Sequence, residues 1–195
     1  MGIVKIIFSI VLLPVVVGIT KAFCSELFIA REIYHLFLWG VITYVVTHLF
    51  FVNFHGIYQG GQKIFADGLK FSPFLSSFVP LVLPLFPMIL MVAFFVCAKF
   101  FAMKEWEPYF VFFTGMTSAM HLILTAQIIR EEDGGVFKAH YFFTMSLGII
   151  FNLIILSALL SMNFSSFSFM GFFDRSLEEV KNIYFFVYDR LTTTR

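Results

Sequence analysis

Apolar residues run through this chain in five long blocks, near positions 3–20, 33–54, 74–98, 109–129 and 141–163, with polar residues gathered in the short stretches between them. A helix needs about 20 mostly apolar residues to cross a bilayer, so the pattern predicts five transmembrane helices and an all-α fold. The third block, FLSSFVPLVLPLFPMILMVAFFVCA, has no charge but contains Pro80, Pro84 and Pro87. Each proline removes a backbone donor and crowds the preceding turn. In lipid, the freed carbonyls must find partners inside the protein. This helix is therefore expected to be kinked or broken, with its proline turn facing other helices. Pro14 is expected to act similarly, on a smaller scale, in the first block.

After Asn163 the pattern changes. FSSFSFMGFF suits a membrane interface, and RSLEEVKNIYFFVYDRL places Leu177, Val180, Tyr184, Val187 and Leu191 at spacings of three and four, opposite Glu178, Glu179, Lys181 and Asp189. That spacing predicts an amphipathic C-terminal helix that lies on the membrane surface or docks on a partner. The chain divides accordingly into a transmembrane domain, 1–163, and an interfacial or cytoplasmic tail, 164–195. The connections are too short to hold a soluble module with its own core.

Composition agrees with this division. The 195 residues are 60% hydrophobic and 20% aromatic, with 30 phenylalanines and only 13% charged side chains. Soluble domains are about half apolar. The net charge of +1 is scattered, without the basic stripe that nucleic acid requires. Cys24 and Cys97 form no Cys-x-x-Cys pair and read as small apolar residues. The first block follows Lys5 and lacks an Ala-x-Ala cleavage pattern, so it reads as an uncleaved span. With five spans, one side holds five basic residues and the other eight, Lys21 and the tail cations among them. That bias places the C-terminus in the cytoplasm.

Histidines are the candidate chemistry, since the five blocks contain no Asp or Glu. His121 lies mid-span and His48 late in the second span, and each needs hydrogen-bond partners in a dry bundle. The two could face each other as a haem site. A proton or ion path would normally add buried carboxylates. The line FHGIYQ sets His55 and Gln59 four residues apart, the frame of His-Glu-x-x-His, in which two imidazoles bind zinc and the glutamate acts as base. Gly56 stands where the base belongs and Gln59 where the second ligand belongs. The stretch reads better as the end of the second membrane helix, with Gly60 and Gly61 letting the chain leave it and His55 at the membrane edge.

The order of THLFFVNFHGIYQ, GGQKIFADGLKFS, SSFVPLVLPLFPMIL, GMTSAMHLILTAQIIREEDGG and FFTMSLGIIFNLIILSALL resembles the bacterial site-2-protease-like intramembrane zinc metallopeptidases over residues 35 to 165. There an aromatic-rich helix leads into the metal motif, followed by a polar stretch, a proline-containing helix and a helix bearing His, Leu and Thr. The resemblance implies a bacterial inner-membrane protein whose old cleft is lined by His121 and Asn152. It also implies that catalysis is lost, because Gly56 removes the base and glutamine is a poor zinc ligand. A dead relative that keeps its fold is expected to serve as a scaffold or accessory subunit beside other membrane proteins, with no cofactor. The alternatives are a zinc-dependent hydrolase using His55 with His121 or His140, and a haem- or ion-handling subunit.

Overall fold

The computed structural model describes residues 2–50, 55–72, 79, 81–100, 104–133 and 139–193. Seven helices form among them: α1 (Gly2–Ile29), α2 (Arg31–Phe50), α3 (His55–Gly68), α4 (Leu85–Phe100), α5 (Glu107–Asp133), α6 (Ala139–Asn163) and α7 (Phe169–Thr193). No strand occurs among the described residues. Among the described residues, four stretches are long and apolar enough to cross a membrane: Ile7–Ile29, Arg31–Phe50, Glu107–Glu131 and Tyr141–Asn163. The first is longer than the sequence pattern suggests. It takes in Lys21 and Glu26, so a carboxylate lies within this span, and Lys21 is not the loop cation that the basic-residue count placed outside it. α1 also runs unbroken through Pro14.

α1 and α2 meet at a corner on buried Ala30, whose amide donates to Glu26 O while its carbonyl accepts from Ile33 and Tyr34. The rings of Phe23 and Phe37 are 5.8 Å apart. A straight helix would separate those residues by about 21 Å, so the direction of the chain reverses here. α2 and α5 then run the same way, since Phe37 meets Gly115, Gly40 meets Phe112 and Met116, and His48 meets Gln127. Between them in the chain lies the shorter apolar helix α4. α4 alone rises only about 24 Å.

The helical path into α4 is interrupted where the prolines fall. Residues 79, 81 and 82 are helical, the chain breaks at Leu83 and Pro84, and α4 starts at Leu85. The Leu85 amide donates to Leu83 O at 2.9 Å and so does not serve Leu81 O, four residues back. Pro84 and Pro87 are buried, as expected for a break that must hide its backbone from lipid. Pro80 lies outside the described residues.

The main apolar core joins α1, α2, α4, α5, α6 and the start of α7, around Phe23, Phe37, Met91, Phe94, Leu156 and Phe172. A second cluster gathers Tyr44, Tyr58, Ala119, Met120 and Leu124. Many large apolar side chains face outward, among them Ile10, Trp39 and Ile89. That is normal for a protein whose solvent on these faces is lipid.

A polar seam inside the bundle

α3 is short and amphipathic. Its Tyr58 and Gln62, one turn apart, are buried, whereas Gly56, Gln59 and Gly60 are exposed. The helix His55–Gly68 continues through Gly60 and Gly61, so the chain does not leave it at those glycines. Gly61 has a packing reason, since a methyl group there would meet Phe86 of α4 at 2.7 Å.

The Tyr58 hydroxyl is the hub of the seam. It accepts from Gln62 Nε2 at 2.8 Å and lies 2.7 Å from Thr125 Oγ1 and 2.8 Å from His121 Nδ1. One hydroxyl has one proton and two lone pairs. Tyr58 therefore donates to either His121 or Thr125 and accepts from the other. Burial pushes the Tyr58 phenol up to about 12, although its bonds to Thr125 and Gln62 pull the other way.

α5 supplies the other wall. Thr114, Ser118, His121 and Thr125 fall at spacings of four, three and four, and all are buried. Thr114 returns its hydroxyl to Phe110 O at 2.7 Å. The Val82 main chain lies beside the His121 ring, and Nε2 has no partner at strict hydrogen-bond geometry among the described residues. On α6, buried Thr144, Gly148 and Asn152 form a stripe of one residue per turn. Gly148 brings that stripe against Leu81 O, in the broken segment beside Val82. Both polar atoms of the Asn152 side chain, Thr144 Oγ1, Ser118 Oγ and Gln62 Oε1 are buried without partners among the described residues.

His48 has partners of its own. Its Nε2 is 3.1 Å from Gln127 Nε2 and its Nδ1 is 3.4 Å from the Tyr44 hydroxyl. The side chains of His55 and His140 lie outside the described residues. Among the described residues, no three His, Cys, Asp or Glu side chains come together as a metal-ligand set.

The C-terminal helix packs on the first span. α7 is not apart from the bundle; it lies antiparallel along α1. Arg175 reaches Ser25 Oγ at 3.0 Å and Glu26 Oε1 at 3.2 Å, Lys21 pairs with Glu179 at 2.7 Å, Val180 packs on Gly18, and the Tyr184 hydroxyl donates to Val11 O. Of the face picked out by spacing, Val180 and Tyr184 touch α1. Leu177, Val187 and Leu191 remain exposed. The inner face is Phe172, Ser176, Glu179 and Val180 instead, because matched charges and a glycine groove on α1 select it.

Sequence reasoning found His121 and Asn152 but missed Tyr58, Gln62, Thr125, Glu26 and Arg175. Two signals were present: Tyr58 and Gln62 one turn apart, and four polar residues at three-four spacing in an apolar span. Together the fold and seam define a multi-pass helical membrane protein with a polar interior at its broken helix. No family model, curated protein or solved structure matches the chain.

Proposed function

We propose that this membrane protein is a non-catalytic accessory subunit, a pseudo-protease by ancestry, that holds other membrane proteins in place. The supporting observation is the network around Tyr58. Its hydroxyl ties His121, Thr125 and Gln62 to one another. One held imidazole nitrogen still leaves the other for a metal, but zinc hydrolysis also needs further ligands and a carboxylate reaching the bound water. The buried carboxylate among the described residues, Glu26, is instead paired with Arg175 on α7. A polar network of this kind fixes one packing of α3, α5 and the broken helix, which suits a rigid platform.

Affinity purification from native membranes tests the proposal. A stoichiometric protein partner and no bound metal are expected. Stoichiometric zinc or iron that is lost in His55→Ala or His121→Ala would overturn it.

A metal-dependent hydrolase is the second reading. It is favoured by His121 Nε2, buried and unpartnered, and by the unpartnered Asn152 amide. The same metal analysis separates the two readings, and a Soret band in the absorbance spectrum would instead identify a haem subunit.

A further inference from the structure

We propose that the helix break before α4 is a hydrated site inside the bundle, where buried water bridges Leu81 O, His121 and Asn152 beside Gly148.

Contacts along α4 fix the level of each wall. Phe94 of α4 lies 4.8 Å from Phe110 of α5 and 5.6 Å from Phe164, the residue that follows α6. Farther back along the chain, the Val82 main chain lies beside His121, and Gly148 faces Leu81 O. α4 and α6 therefore run the same way, and α5 runs against them. One turn from His121 toward Phe110 is Ser118, one turn from Gly148 toward Phe164 is Asn152, and one turn from Leu81 toward Phe94 is Leu85. Ser118, Asn152 and the broken turn thus share one depth. His121 stands near the middle of the Glu107–Glu131 span, so that depth is the hydrocarbon layer.

The site is polar and has room. The Leu85 amide bonds Leu83 O, so Leu81 O has lost its helical donor. His121 Nε2, Ser118 Oγ and both polar atoms of the Asn152 side chain are buried without partners among the described residues. Gly148 is buried as well, yet among the described residues a methyl group there would meet only Leu81 O, at an ordinary 3.7 Å. At Gly40 and Gly115 the same methyl group would run into backbone. Space for a small molecule therefore lies against a carbonyl that needs a donor.

The inventory of groups selects the ligand. Asn152 Nδ2 can only donate, Leu81 O and Asn152 Oδ1 can only accept, and the Ser118 hydroxyl does both. A cation would leave the amide N–H groups unanswered, and an anion would face two acceptors. Water donates and accepts, so it suits both kinds of group, and broken backbone at bilayer depth is stable where protein or water answers it. The inference stands on α4, α5 and α6 and does not depend on the accessory reading.

Gly148→Ala tests it by sign. In a dry space the methyl group would fill a gap and favour the helix, so the protein would melt higher. In a hydrated one it displaces water and strands Leu81 O and Asn152, so the full chain in lipid nanodiscs is expected to unfold about 4 °C lower. Magnetisation transfer from water to the ring of His121, in chain labelled with ¹⁵N-histidine, is expected in the parent protein and should be largely lost in Gly148→Ala, while transfer to exposed His35 stays. The proposal fails if the variant melts higher, if no transfer reaches His121, or if the variant leaves that transfer unchanged. Stoichiometric zinc on His121 in the same preparation would also overturn it.

Discussion

Arg175 Nε lies 3.2 Å from Glu26 Oε1, which joins a charged helix to a carboxylate that is only 5% exposed inside an apolar span. The two ends of this pair are not equivalent, because the Arg175 side chain is 39% exposed and can turn to water or headgroups. Removing the arginine strands a buried charge, whereas removing the carboxylate does not. Arg175→Met is expected to cost about 3 kcal/mol and Glu26→Gln about 1 kcal/mol, read as thermal unfolding in detergent. Equal losses would mean that the pair is not buried.

Gly40 and Gly115 should be the least replaceable glycines. Each faces the other helix's backbone: Gly40 meets Phe112 O, and Gly115 meets Phe37 O. Backbone cannot rotate away as a side chain can. Gly40→Leu or Gly115→Leu is expected to destabilise by about 3 kcal/mol, the upper end for overpacking. Gly60→Ala should do the reverse, since nothing lies within 4 Å of the new methyl group and alanine favours the helix by up to about 1 kcal/mol. Thermal scans of the three variants check both signs.

Tyr58 sets a pH limit. Its folded value of about 12 lies above its ordinary value of 10.0, so the folded state holds this proton more tightly than the unfolded chain. The stabilisation is complete below pH 10 and is lost as pH rises through about 12, by about 2 to 3 kcal/mol in all. An ultraviolet tyrosinate titration should lose amplitude near 12 in Tyr58→Phe. That variant also leaves Gln62, Thr125 and His121 short of a partner, at a cost of about 2 kcal/mol.

Gly18 keeps α7 on α1. A methyl group there would meet Val180 Cγ2 at 2.6 Å and the Val180 amide at 2.8 Å. Gly18→Leu is expected to lift α7 and expose Arg175 and Lys181 to trypsin at least tenfold faster, while the Tyr58 network survives. Unchanged cleavage would show that the glycine groove does not hold the helix.

Much of this protein was legible in the order of its residues. Apolar runs of about 20 residues are read by the bilayer itself, so the helical spans, the break at Pro84 and the amphipathic tail follow from local chemistry that any solvent of that kind enforces. His121 stood out because a polar side chain in such a run must find a partner. What the sequence could not supply was the partner. The choice of Tyr58 for His121 joins residues 63 positions apart, and the union of Glu26 with Arg175 depends on a reversal at Ala30 and on the path of every span between. The tail's face shows the same limit. Spacing picked out Leu177, Val180, Tyr184, Val187 and Leu191 as one stripe, but Lys21 and Gly18, distant in sequence and close in space, turned a different side inward. Periodicity determines that a helix has two faces; only the charges and gaps of its neighbour decide which face is buried.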